Sequence, residues 1–192
     1  MTTTETEIPR PLRADARRNR ERIVESAREV FAEAGAEAQI DDVARRAGVG
    51  VGTVYRHFPT KEALLGELVR QRFRIFALNA EEALERKGEP FAVFADLLRR
   101  NAEVCAADCA MQHALAGFGE HVSAHAASEF AALNCAVGKL IARAQRAGTM
   151  RQDVSRQDIP MLMCGVSATM AQTEFGFDWH RHLELVIDML RA

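Results

Sequence analysis

The sequence predicts an all-α chain, with an N-terminal head of three helices followed by a longer helical bundle. Three observations carry this. Only 5 of the 192 residues are Pro and 12 are Gly, so helix breakers are sparse. Alanine recurs through every long segment. Runs of β-branched residues with period-two alternation are missing. Hydrophobic residues at 48% against 27% charged exclude wholesale disorder and supply core for one large domain or two small ones. No stretch reaches the roughly 18 uninterrupted apolar residues of a membrane span. The polar segment 1–11 lacks the apolar core of a secretory signal, and the four cysteines form no CxxC pair. A cytoplasmic, membrane-free chain without a disulfide framework is expected.

Taken in order, residues 1–14 are rich in Thr, Glu, Pro and Arg and read as a flexible basic arm. Asp15 is a good N-cap for a helix to about Ala34. On it Ile23, Ala27, Val30, Phe31 and Ala34 share one face, and Gly35 stops it. A short helix at 41–47 closes at Gly48, and another at 51–57 runs into Phe58-Pro59-Thr60. Thr60 caps a long helix reaching about Arg86. Beyond Gly88-Glu89-Pro90, helices are expected near 90–106, 108–117, 123–147, 156–172 and 179–191. Gly148 ends the third of these, Ser155 with Asp158 resembles a capping box for the fourth, and Asp178 caps the last. The expected division is an arm (1–14), a head (15–60) and a bundle (61–192).

Charge is unevenly spread. Residues 1–80 carry +2 and residues 81–192 carry −4, with seven arginines between Arg10 and Arg28. A basic front suits a polyanion, although solvated helices often carry such charge.

Residues 41–58, DDVARRAGVGVGTVYRHF, have helix-turn-helix spacing. Val43 and Ala44 face inward, Gly48 makes the tight turn, and Val49 and Val54 lock the second helix on the first. The exposed side then carries Val51, Gly52, Thr53, Tyr55, Arg56 and His57. Small, hydroxylic, aromatic and basic groups of this kind suit phosphates and base edges in a major groove. Lys61 opposes the dipole of its own helix. The cation makes sense if a phosphate binds there, shared with Thr60 and the helix N-terminus; alternatively it is a solvated surface lysine.

The stretches ARRNRERIVESAREVFAEAG and IDDVARRAGVGVGTVYRHFPTKEALL resemble the DNA-binding region of the TetR family of bacterial transcriptional regulators. The likeness covers about residues 15–66. It implies that Val51, Gly52 and Thr53 read bases, that Tyr55, His57 and Lys61 contact phosphates, and that Arg56 serves either purpose. Arg45 and Arg46 are further candidates. Arg10, Arg13, Arg17 and Arg18 offer a minor-groove arm or backbone contacts. Gln39 replaces the usual Ser or Thr, and Gly50 the usual Ser, so helix caps and phosphate contacts at those points are weakened.

The resemblance also implies a C-terminal bundle that dimerises and encloses an effector. Leu162, Met163, Val166 and Met170, with Leu183, Val186, Ile187 and Leu190, form stripes wide enough for the chain's own core and a partner copy. Phe73, Phe76, Phe94, Leu98, Phe118 and Phe130, with Met111, are candidate pocket lining. Asn101, Gln112, His113 and Asn134 are candidate polar contacts. The implied function is a repressor released from a palindromic double-stranded operator by a small-molecule effector, with no cofactor. The same scaffold leaves open a metal- or thiol-responsive regulator, because Cys105, Cys109 and His113 recur every four residues and His121 and His125 repeat that step. A non-specific architectural DNA-binder is the other alternative. No Ser-His-Asp spacing, phosphate loop or HExxH motif points to an enzyme.

Overall fold

Eight α-helices and no strand are present among the described residues, 10–107 and 125–192 of a computed structural model. They are α1 (Arg10–Ala34), α2 (Ile40–Ala47), α3 (Val51–His57) and α4 (Lys61–Glu85), then α5 (Pro90–Ala107), α6 (Ala127–Arg146), α7 (Asp158–Ala171) and α8 (Trp179–Met189). Helix α1 begins at Arg10 rather than at Asp15. Part of the expected arm is therefore helical, and Asp15 sits inside the helix as an ion-pair partner of Arg18, three residues on. Pro11 in the first turn is compatible with this start, since the N–H that it lacks has no helical acceptor there. The expected helix at 108–117 lies outside the described residues. Helix α6 opens at Ala127, after a turn at His125-Ala126, so its start falls later than the spacing implies.

Most helix ends use the residues the sequence offers. Gly35, Gly48 and Gly148 all take positive φ, the left-handed conformation that closes a helix without a Cβ clash. Thr60 Oγ1 accepts the N–H of Ala63 at 3.1 Å, and Asp178 accepts that of Arg181 at 3.1 Å. Asp158 reaches back to the N–H and hydroxyl of Ser155 at 2.7 and 2.8 Å. Helix α5 has a cap that the spacing did not reveal. The Glu89 carboxylate accepts the N–H groups of Phe91 and Ala92, at 2.8 and 2.7 Å. Burial would raise its pKa, but these bonds outweigh it and hold the pKa below the ordinary glutamate value.

Two separate clusters of buried side chains result. The first joins α1, α2 and α3 to the front half of α4, through Ile23, Phe31, Val43, Val54, Leu64 and Leu65. The second packs the rear half of α4 with α5 to α8 around Phe91, Phe94, Leu97, Leu140 and Ile187. Burial of each large side chain contributes roughly 1.5–3 kcal/mol, against at most about 1 kcal/mol for an exposed ion pair, so apolar packing decides both units. Phe73 of α4 packs against both clusters, which makes α4 the shared strut.

Candidate nucleic-acid interface and effector cavity

Helix α2 ends at Gly48, whose φ of 64° turns the chain sharply. Two bonds seal the turn, from the N–H of Gly48 to the carbonyl of Arg45 at 3.2 Å and from that of Val49 to Ala44 at 3.1 Å. Val43, Ala44 and Val54 are fully buried where α2 and α3 meet, and Val49 packs beside them. With Val54 facing inward, the opposite side of α3 is presented to solvent. Val51, Gly52, Tyr55 and Arg56 are exposed, while Thr53 and His57 are half-buried. A Cβ built on Gly52 would meet nothing within 4 Å, so packing does not require glycine there.

The flanking cations divide. Arg46 is held by Glu33 through two bonds of 2.7 Å and reaches Glu29 at 3.4 Å, tying α2 to α1. Those contacts raise its pKa and make it a structural clamp. Arg45 is largely exposed and pairs with Asp42 of its own helix. Lys61 Nζ lies 5.5 Å from the centroid of the Phe31 ring, and Thr60 is committed to capping α4, so both sit at the head's edge next to α3. Arg17 and Arg18 project from α1 in exposed pairs with Glu21 and Asp15.

Behind the head, a charged clasp crosses three helices. Glu67 of α4 is buried and accepts from Arg20 of α1 at 2.9 Å and from Arg70 at 2.8 Å. Arg70 also donates to Glu129 of α6 at 2.9 Å. Burial would raise the Glu67 pKa, but the hydrogen bonds from Arg70 and Arg20 and their charges prevail and bring it down to about 2. A Cβ on neighbouring Gly66 would stand 2.8 Å from His125 Cγ, so glycine permits the close approach of α4 to the start of α6. Ala126 beside it is buried in the head's own cluster. Sequence reasoning missed this clasp. The spacing of Glu67, Arg70 and Gln71 along α4 is legible, but the Arg20 partner lies 47 positions away.

The bundle encloses an apolar cavity of about 300 Å³. Six expected residues line it: Phe73, Phe76, Leu98, Asn101, Phe130 and Asn134. Phe94 does not; it is fully buried in the core beside Phe91, 6.5 Å between ring centroids. Met111, Gln112, His113 and Phe118 lie outside the described residues. Arg72, Leu97, Leu133, Ile159, Cys164 and Ser167, none of them among the expected pocket residues, also line the wall. Asn101 is partly committed, accepting from Asn79 at 2.8 Å. Of the proposed cysteine and histidine run, Cys105 faces this cavity, Cys109, His113 and His121 lie outside the described residues, and His125 packs on Gly66.

The residues of the expected dimer stripe pack within the chain itself. Val166, Met170, Leu183, Val186, Ile187 and Leu190 are buried in the chain's own core, and Leu162 and Met163 pack against it; Met163 also lines the cavity. Apolar surface is left exposed elsewhere on α7 and α8, at Met161, Leu185 and Met189, and at Phe175 and Phe177 between the two helices. Met161 is 64% exposed and Phe175 65%. The Phe175 and Phe177 rings stack on each other at 5.6 Å. Helix α7 is apolar on nearly every side, so periodicity did not tell its core face from its free face.

A helix-turn-helix head joined by one strut to a bundle holding an apolar cavity defines a regulator of the helix-turn-helix class. Residues 23–68 match the bacterial regulatory proteins of the tetR family, and residues 89–192 match the SbtR-like transcriptional regulator C-terminal domain. The chain belongs to the TetR family. A TetR transcription regulatory protein from Mycobacterium vanbaalenii is 38% identical, with 95% of this chain and all of that one covered and a TM-score of 0.65. A TetR transcriptional regulator from Streptomyces coelicolor is 28% identical, covering 90% and 98%, with a TM-score of 0.64. The fold is shared by the transcriptional regulator FadR from Bacillus subtilis in complex with stearoyl-CoA, 20% identical, covering 90% and 97%, at a TM-score of 0.74. An HTH-type transcriptional regulator of Staphylococcus aureus is 39% identical over 72 residues, 37% of this chain. That match spans 39% of the relative's length. No described helix is long and apolar enough to cross a membrane.

Proposed function

We propose that the protein is a homodimeric, cytoplasmic repressor that binds a palindromic operator and releases it when a small molecule fills the bundle cavity. The observation that carries this is the position of α4. Its front half, Leu64, Leu65 and Leu68, belongs to the head's core, and its rear half, Phe76, Ala80 and Ala83, belongs to the bundle's. Phe73 and Phe76 of the same helix line the cavity. A ligand that fits better when α4 is displaced lowers DNA affinity by reciprocal linkage.

On the DNA side, Val51, Gly52 and Thr53 read bases, while Tyr55, His57, Thr60 and Lys61 bind phosphates, with Arg56 and Arg45 at the edges. Two copies place their α3 helices about 34–36 Å apart, or a multiple, to match successive half-sites. The exposed apolar residues of α7 and α8 and the segment between them supply the contact between copies. FadR binds stearoyl-CoA, and an apolar cavity here suits a ligand with substantial hydrocarbon character.

Fluorescence anisotropy of a labelled operator, selected from random duplexes at fixed salt, tests the reading. Saturable binding that survives competition with random DNA and is lost on adding an effector supports it. Equal affinity for all duplexes returns the protein to architectural binding, and operator affinity unmoved by a bound ligand removes the coupling.

A further inference from the structure

The cavity does not close on itself. Phe130, Asn134 and Pro160 also bound an open recess between α6 and α7, whose outer wall carries Arg156 and Gln157. Arg156 lays its stem along α6, with its Cδ 3.8 Å from the Cβ position of Gly138. Among the described residues, the side chains of Arg156, Gln157 and Asn134 make no hydrogen bond or ion pair within the chain. The nearest carboxylates in sequence are occupied elsewhere, Asp153 by Arg151 and Asp158 by Ser155. The cation of the inner wall is different, because Arg72 is buried and already engaged by another group of the chain.

The geometry points to an amphipathic anion as the ligand, with its hydrocarbon chain in the cavity and its head group outward on Arg156, Asn134 and Gln157. This rests on reading the cavity as the effector site. The interior is almost wholly apolar, so it rewards a chain and leaves a second polar end without partners. The mouth offers a guanidinium with donors to spare and two amides, a set that recognises a carboxylate or a phosphate. A cavity of about 300 Å³ lies at the small end of ligand pockets and suits a chain of medium length.

Isothermal titration of the full chain with decanoate, decyl phosphate and decanol tests this, because the three share one chain and differ in the head. At least one anion should bind about tenfold tighter than decanol, the effect of one charge-assisted contact, and the preferred anion says which head group is recognised. Arg156→Ala should erase that preference and leave decanol affinity unchanged, while Arg156→Lys should retain part of it. Arg156 is exposed and outside both cores, and an unchanged thermal melt verifies that the variant is folded. Decanol binding as tightly as both anions, or an anion preference that persists in Arg156→Ala, overturns the proposal. Failure of all three molecules to bind overturns the ligand class as well. The wider reading of the cavity then stands or falls on operator release by other compounds.

Discussion

In the head, the residues that pack and the residues left for a partner separate along a single short helix. Val54 of α3 is fully buried, and four residues around it, Val51, Gly52, Tyr55 and Arg56, face out. In the bundle, α7 and α8 carry apolar residues on several faces, and only some of them pack within the chain. Val166 and Leu183 go inward while Met161 and Leu185 stay exposed. The head's arrangement is set by neighbours in sequence, through a glycine turn of fixed hand between α2 and α3. That of the bundle is set by helices far apart in the chain, and a helix apolar all round has no preferred face until its neighbours are in place.

Four outcomes sharpen or break this contrast, in order of expected effect. Charging the exposed apolar face with Met161→Glu and Leu185→Glu together should cost several kcal/mol of association, since each buries an unpaired carboxylate in an apolar contact. Analytical ultracentrifugation should show a monomer with an unchanged helical circular-dichroism spectrum; a persistent dimer moves the interface elsewhere.

Next comes the clasp. Glu67→Ala strips the carboxylate from Arg20, leaves Arg70 with Glu129, and should lower unfolding stability by about 3 kcal/mol, the low end for a broken buried pair because both arginines are partly exposed. The pH dependence follows from the depressed pKa. A carboxylate with a folded value of about 2 and an ordinary value of 4.5 contributes its full stabilisation above pH 4.5, and loses it as pH falls toward 2. Urea titrations between pH 2 and 6 should show wild type losing stability across that window more steeply than Glu67→Ala; parallel slopes would remove Glu67 as the titrating group.

On the DNA face the expected effects are smaller and divide by role. Lys61→Ala should weaken binding to all duplexes, with the salt slope reduced by about 1, whereas substitutions at Thr53 should change which operator is preferred, by about 1–3 kcal/mol. If Lys61→Ala leaves affinity and salt slope intact, the phosphate contacts lie elsewhere on the head. The smallest effect is expected at Arg46. As an exposed clamp to Glu33 and Glu29 it adds little to stability, so Arg46→Ala should lower the melting temperature slightly and leave the salt slope unchanged. A drop in salt slope would make Arg46 a DNA contact after all.

How much of this was legible depends on distance along the chain. Gly35, Gly48, Thr60, Gly148 and Asp178 mark helix ends by chemistry that acts within a turn or two, and each does so in the structure. Six of the seven described pocket candidates line the cavity, because helix phase alone brings Phe73 with Phe76 and Leu98 with Asn101. Phe94 shares their spacing but points between helices instead of into the space they enclose. Arg45 and Arg46 are adjacent and chemically identical, and only the position of α1 commits one to Glu33 and leaves the other in solvent.

The sequence by itself determined the helical class, the helix-turn-helix and the family, because these rest on local propensity and on a tight crossing that few residue types permit. The fold in three dimensions settled which face of α7 is exposed, where Glu67 finds Arg20, and that Phe130, Asn134 and Pro160 are shared by the cavity and the recess beside Arg156. Those depend on helices meeting across the chain, where burial and desolvation, summed over many neighbours, select among faces that look equally apolar in sequence.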